Sequence, residues 1–172
     1  CYSEEELHAL AIWAFERDIF VISDEMYDQL CYLPSGPVSL SPLLAKYSKQ
    51  LFIVNGLAKS LSMPGWRVGY GLGHPELISK MSTIQGQSTS NICSLAQVAA
   101  QAALTGSYDS VKEMRSIYLQ RRDLAMNYIN LWPNISCPRP DGAFYIFLNV
   151  SKLFNSQIPN DIAMCTHLMR EA

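Results

Sequence analysis

The sequence predicts an α/β fold, and three features of its 172 residues point to it. Two short apolar runs, IFVIS at 19–23 and LFIVN at 51–55, have the length and β-branched content of strands buried on both faces of a parallel sheet. Segments with helical periodicity stand before and after these runs, so helix and strand alternate along the chain. With 49% hydrophobic residues, the chain can also bury a sizeable core.

The first helix is predicted over residues 3–17. Ser3 and Glu6 have the spacing of a capping box, and apolar residues recur at helical spacing after them. A third strand is predicted in the glycine-rich segment RVGYGLG at 67–73. Glycines inside a strand indicate that a ligand or another backbone passes close by.

The second half of the sequence is mainly helical. A strand is expected at 143–150, AFYIFLNV, after the proline- and glycine-rich segments WPN and PRPDG. This break near residue 130 is the predicted boundary between a domain of residues 1–130, which includes a long inter-domain helix, and the start of a second domain in residues 131–172. Helices are predicted from about Leu77, over 95–104, over 107–132 and from about Asp161.

The composition argues against several classes of protein. The net charge is −2 and no basic run occurs, so neither nucleic acid nor an anionic membrane is an expected partner. No apolar run reaches the roughly 18 residues that span a bilayer. The five cysteines are widely spaced and form no C-x-x-C motif, which argues against a disulfide framework and a zinc site and favours a cytoplasmic location; no metal is expected.

Chemically active side chains follow the two predicted buried strands. Asp24, Tyr27 and Asp28 come directly after IFVIS, and Lys59 and then Arg67 come shortly after LFIVN. Because ligands of open α/β sheets bind beyond the carboxyl ends of the strands, these side chains could converge on one site. Taken singly, each also has an ordinary interpretation as a solvated loop residue, a surface lysine or an ion-pair arginine.

Four longer segments, taken together and in order, favour a functional role for these residues over the ordinary interpretation. They are SDEMYDQLCY, NGLAKSLSMPGWRVGYGLG, GQSTSNICSLAQVAAQAAL and PDGAFYIF, and together they cover most of the chain. In this arrangement they resemble the aspartate aminotransferase family, the class I aminotransferases of fold type I that use pyridoxal 5′-phosphate (PLP). The resemblance implies part of a large α/β/α domain with a mostly parallel sheet, followed by the start of a small α+β domain.

The resemblance also implies roles for four residues. Lys59 would form a Schiff base with the cofactor aldehyde and then carry a proton to and from the substrate α-carbon. Asp24 would keep the pyridine nitrogen protonated, and Tyr27 would hydrogen-bond the cofactor 3′ oxygen. Arg67 would bind the cofactor phosphate with its planar guanidinium group.

Two further assignments by resemblance have competing interpretations. Ser88, Thr89 and Ser90 lie in a segment that resembles one reaching toward the neighbouring subunit of a homodimer with a shared active site. The alternative is a helix N-cap at Ser90 or Asn91. Phe144 would line the substrate pocket, and the alternative for it is packing in the core.

The sequence also departs from the family. Ala58 replaces a serine whose hydroxyl commonly helps to hold the phosphate, and Pro64 before GWR is similar to tyrosine and alanine aminotransferases. Family chains are more than twice as long, and the phosphate loop, the ring-stacking aromatic and the arginine for the substrate carboxylate lie outside these 172 residues. We therefore expect a piece of a longer enzyme, which alone would bind PLP poorly and turn over little.

The predicted activity is a ping-pong transfer of an amino group between an amino acid of the aspartate, aromatic or alanine type and a 2-oxo acid. Two alternatives to this activity are open. One is another fold type I PLP enzyme, such as a C–S lyase or an amino-acid synthase. The other is a regulatory module that resembles an aminotransferase and has no activity.

Overall fold

The computed structural model describes residues 1–171, and the chain has the α/β fold that the sequence predicts. Three strands form one sheet: β1 (Val21–Asp24), β2 (Leu51–Gly56) and β3 (Gly69–Leu72). The helices are α1 (Glu4–Phe15), α2 (Leu44–Tyr47), α3 (Pro75–Ser88), α4 (Ser94–Thr105), α5 (Asp109–Ile129) and α6 (Asp161–Glu171).

The sheet has β2 at its centre. β1 lies parallel to β2, in a register that pairs Val21 with Leu51 and Asp24 with Val54. β3 pairs with the other edge of β2 in the antiparallel direction. Because β1 and β2 run the same way, their carboxyl ends lie at one edge of the sheet, and the chain segments that follow them start side by side.

Helix α1 begins with the capping box that the sequence predicts. The Ser3 hydroxyl accepts a hydrogen bond from the Glu6 amide at 3.2 Å, and the Glu6 carboxylate accepts one from the Ser3 amide at 2.9 Å. These two bonds satisfy donors that a helix N-terminus otherwise leaves unpaired. They fix the point at which the chain enters the helix.

The core lies between α1 and the centre of the sheet. Leu51 and Ile53 of β2 are almost completely buried and pack with Ala11 and Phe15 of α1 and with Leu40. β2 has five buried residues of six, which is the pattern of a strand covered on both faces. Its continuous apolar run is therefore explained by its central position.

Two glycines of the segment RVGYGLG, Gly71 in β3 and Gly73 just after it, make room for a side chain rather than for a ligand or a backbone. A Cβ atom built on Gly71 would lie 2.3 Å from Phe52 Cζ, and one on Gly73 would lie 2.6 Å from Phe52 Cδ2. The ring of Phe52 therefore occupies the space above both positions. The expectation of a close ligand or backbone is therefore wrong at Gly71 and Gly73, whereas at Gly69 a Cβ atom would lie 3.3 Å from the backbone oxygen of Asn55.

The strand predicted at 143–150 is not formed in the structure. This segment has only isolated bridges near its ends, Cys31 to Gly142 and Ser136 to Asn149. A strand needs a partner along its length for its N–H and C=O groups, and residues 1–171 provide none there. The boundary near residue 130 remains a prediction, and α5 ends just before it.

The helices and the cysteines can be compared with what the composition predicts. In the described part of the chain, no helix is both long and apolar enough to cross a membrane. All five cysteines are free thiols.

Replacing Leu51 with alanine should lower the free energy of unfolding by about 2–5 kcal/mol, because the cavity would lie where α1 meets β2. Urea unfolding of the longest form of the protein that carries this chain measures the change. Leu51→Met is the matched control and should cost less than about 1.5 kcal/mol, since it keeps the volume. Equal losses in the two variants would contradict this placement of Leu51.

Candidate functional site

Lys59 lies in a tight turn directly after β2. The amide of Met63 donates to the Leu57 carbonyl at 3.1 Å, and the amide of Ser62 donates to the Lys59 carbonyl at 3.1 Å. These bonds close the turn on both sides of the lysine. The backbone of Lys59 is thereby held at the edge of the sheet where β1 and β2 both end.

The Lys59 amine lies close to two aromatic rings. Its Nζ atom is 5.8 Å from the centre of the Tyr27 ring and 5.5 Å from the centre of the Phe144 ring. The two rings meet edge to face, with centres 5.5 Å apart. Lys59 forms no ion pair with any residue of the described chain, so its amine is not committed to a carboxylate.

Asp24 and Tyr27 lie at the carboxyl end of β1 and line one cavity of about 180 Å³. Asp24 is the last residue of the strand, and its Oδ1 accepts a hydrogen bond from the Met26 amide at 3.1 Å. This bond turns the chain so that Tyr27 follows at the same edge. The structure thus brings Asp24, Tyr27, Lys59 and Phe144 to one end of the sheet.

The Tyr27 hydroxyl shares a hydrogen bond of 2.6 Å with the Tyr145 hydroxyl. Burial raises the pKa of Tyr27 to about 12, and the bond to Tyr145 and the charges of Tyr145 and Asp24 act in the same direction. The phenol is therefore protonated at neutral pH. In that form it can donate a hydrogen bond to an oxygen placed beside it.

Backbone hydrogen bonds hold the segment with Phe144 and Tyr145 against the site. The Ala143 amide donates to the Leu30 carbonyl at 2.9 Å, and the Tyr32 amide donates to the Asp141 carbonyl at 2.7 Å. The Tyr32 hydroxyl also donates to the Ala143 carbonyl. These contacts join the chain after β1 to a segment more than a hundred residues away.

Phe144 is not a core residue, since 40% of it is exposed. The alternative that it packs in the core is therefore wrong for the described chain, and its role in a substrate pocket remains a prediction. Tyr145 was missed in the sequence. The only available signal was its position next to Phe144, because its pairing with Tyr27 depends on the tertiary fold.

Arg67 does not line the cavity of Asp24 and Tyr27. It has a left-handed backbone conformation, with φ of 55°, and its Nη1 donates to the Pro64 carbonyl at 2.9 Å. It lines a separate open cavity of about 670 Å³ together with Thr89 and Ser90. Since Arg67 forms no ion pair among residues 1–171, its guanidinium can still bind an anion.

The three residues predicted at a subunit boundary differ in their surroundings. Ser88 ends α3, and its hydroxyl donates back to the Ile84 carbonyl at 2.9 Å, whereas Thr89 and Ser90 face the Arg67 cavity. The alternative of an N-cap at Ser90 or Asn91 is wrong. Helix α4 begins after Cys93, and Ser90 has φ of 60°, outside the extended region that an N-cap occupies.

The sequence matches the family model described as aminotransferase class I and II over residues 1–171. The chain is 37% identical over 170 residues to an asparagine–oxo-acid transaminase of Streptococcus mutans, covering 99% of this chain and 43% of that protein. It is 39% identical over 155 residues to an aspartate aminotransferase of Bacillus subtilis, covering 90% of this chain and 39% of that protein.

Solved structures agree with the sequence relatives. The crystal structure of an aspartate aminotransferase from Rhizobium meliloti superposes with a TM-score of 0.90 at 30% identity, covering 99% of this chain and 44% of that one. The chain thus spans less than half the length of the proteins that it matches. Aspartate aminotransferases of this kind use PLP. The chain belongs to the aminotransferase class I and II family.

Proposed function

We propose that the protein carrying this chain is a PLP-dependent aminotransferase that transfers an amino group between an amino acid and a 2-oxo acid in a ping-pong reaction. The observation that carries the proposal is the Lys59 amine, which forms no ion pair among residues 1–171 and lies beside Tyr27 and Phe144 at the sheet edge where Asp24 ends β1. Two relatives are named as aspartate and asparagine transaminases, which favours an aspartate-type amino acid over aromatic or alanine-type substrates.

The groups present fit PLP. A primary amine suits its aldehyde, a carboxylate suits its protonated ring nitrogen, a phenol suits its 3′ oxygen, and a guanidinium suits its phosphate. Lys59, Asp24, Tyr27 and Arg67 supply one of each. The amine and the guanidinium lack ionic partners in the described chain, so each could engage the cofactor without breaking an existing ion pair.

Each side chain would have a defined task in the reaction. The cofactor supplies an electron-accepting ring that stabilises the negative charge formed at the substrate α-carbon. Lys59 Nζ would attach the cofactor covalently and, once released by the substrate, would move the proton at the α-carbon. The Asp24 carboxylate would hold a proton at the ring nitrogen, and the Tyr27 hydroxyl would donate to the 3′ oxygen.

Arg67 would bind the phosphate by paired N–H donors, a geometry that lysine does not offer. Thr89 and Ser90 face the same cavity and could add hydroxyl donors, from this chain or across a dimer interface. Ala58 has no hydroxyl and cannot contribute one. We also propose that the full-length protein is a cytoplasmic homodimer with a shared active site. Sedimentation of the full-length protein would test whether it is a dimer.

Mixing the full-length protein with PLP, aspartate or asparagine and 2-oxoglutarate should yield glutamate and the matching 2-oxo acid. Lys59→Ala should lower turnover by at least about a thousandfold, because attachment and proton transfer both need the amine. Lys80→Ala is the control and should be active.

Products of elimination or cyclisation would indicate another fold type I enzyme, and no product with bound PLP would favour the regulatory module. Residues 1–172 alone should show little turnover.

Replacing Arg67 with lysine should weaken binding of PLP by roughly tenfold, because one charge-assisted hydrogen bond to the phosphate would be lost. Equilibrium titration of the cofactor-free full-length protein measures this. Pyridoxal, which lacks the phosphate, should bind the wild type and Arg67→Lys equally. An equal loss of affinity for both compounds would show that Arg67 does not bind the phosphate.

The phenol of Tyr27 should ionise near pH 12 in the folded protein, against about 10 when unfolded. As the pH rises above about 10, the unfolded state loses this proton first, so the free energy of unfolding should fall more steeply in wild type than in Tyr27→Phe. Below pH 10 the two slopes should agree. Difference absorbance of tyrosinate between the two proteins measures the midpoint, and a midpoint at pH 10 would contradict the raised pKa of Tyr27.

A further inference from the structure

The structure buries two polar side chains among residues 1–171, and both donate to the same carboxylate. They are Asn55, which is 8% exposed, and Ser60, which is 4% exposed. Asn55 Nδ2 lies 3.3 Å from Asp28 Oδ2, and Ser60 Oγ lies 3.0 Å from Asp28 Oδ1. A buried polar group is costly unless it is hydrogen-bonded, so Asp28 is what makes both burials tolerable.

Asp28 is itself fixed by its neighbours. Its Oδ1 accepts a hydrogen bond of 2.6 Å from the Gln29 amide, and its Oδ2 accepts one of 3.1 Å from Gln29 Nε2. With the bonds from Asn55 and Ser60, the carboxylate accepts four hydrogen bonds, which is about its full capacity. It has no free lone pair for a substrate or a cofactor, and its role must be exerted through the groups that it holds.

Those groups stand next to the proposed catalytic residues. Ser60 directly follows Lys59, and Asp28 directly follows Tyr27. Asn55 lies in the last part of β2, and its Oδ1 accepts a hydrogen bond of 2.7 Å from the Gly56 amide, at the start of the lysine turn. One carboxylate therefore links the segment after β1 with both sides of the turn that carries Lys59.

We propose that Asp28 is a positioning residue that holds the Lys59 amine against the Tyr27 ring through its hydrogen bond to Ser60. The inference rests on the proposed function of Lys59 and extends it to residues that do not contact the reacting atoms. Ser60 Oγ also lies 3.4 Å from the Met26 carbonyl, so this one hydroxyl makes two contacts between the lysine turn and the segment that follows β1.

The test measures the placement of the amine without the cofactor. The cofactor-free full-length protein is acetylated under limiting reagent, and mass spectrometry gives the labelling ratio of Lys59 to Lys80 in the same sample. Lys80 is an exposed residue of α3 and serves as the internal reference. In the wild type, the half-buried Lys59 should react more slowly than Lys80.

Ser60→Ala and Asp28→Asn should each raise this ratio by roughly threefold to tenfold, because the turn would open more often. The double variant should add little to the larger single effect, since Ser60→Ala removes the hydrogen bond between Ser60 and Asp28 and Asp28→Asn weakens the same bond by removing the charge. Ser60→Thr keeps the hydroxyl and should restore the wild-type ratio. Asn155→Ala is the control for general destabilisation: its side chain caps a distant turn, and its ratio should equal the wild type.

A wild-type ratio in both Ser60→Ala and Asp28→Asn, with folding confirmed by circular dichroism, would overturn the proposal. So would a raised ratio in Asn155→Ala, because the readout would then report stability alone. The rate at which PLP attaches to Lys59 under borohydride separates this inference from the proposed function. Absence of attachment in the wild type would refute the function, whereas wild-type attachment rates in both variants would refute only the positioning role.

Discussion

The arrangement of the candidate site depends on the parallel pairing of β1 with β2. This pairing sends both strands toward the same edge, so that Asp24 at the end of one strand and the Lys59 turn after the other lie side by side. The core supports this pairing, because Leu51 and Ile53 of β2 pack in one cluster with Phe15 of α1. A shift of one residue would turn these side chains to the opposite face of the sheet.

Two sets of polar contacts then fix the positions of the side chains at this edge of the sheet. The Asp28 carboxylate links the end of β1 to the lysine turn, and the backbone bonds of Leu30 and Tyr32 bring the aromatic segment from beyond α5. The Asp28 contact joins residues that are about thirty positions apart in the sequence, and the backbone bonds join residues that are more than a hundred positions apart. The site is therefore assembled from segments that no local pattern connects, although each segment has a recognisable motif.

Sequence patterns identify the separate segments of the site, but they do not identify the contacts between those segments. Helical periodicity predicted the helices other than α2, and continuous apolar runs predicted β1 and β2, although β1 is not buried on both faces as expected, since exposed residues alternate along it. Motif resemblance proposed Asp24, Tyr27, Lys59 and Arg67 as site residues. The partners of those residues were not predictable, because the contact between Tyr27 and Tyr145 depends on tertiary placement. The strand expected at 143–150 failed for a related reason: strand formation needs a neighbour, and sequence propensity does not supply one.

The packing of Phe52 against β3 has a consequence for how this chain can vary. The ring occupies the space that a side chain at Gly71 or Gly73 would need, so a substitution at either glycine would force the phenylalanine ring to move. A smaller residue at position 52 would open that space, and substitutions at 71 or 73 would then become acceptable. The order of mutations therefore matters: the route through position 52 is open, and the reverse route passes through a steric clash. The effect of a substitution at position 71 or 73 should therefore depend on the residue at position 52.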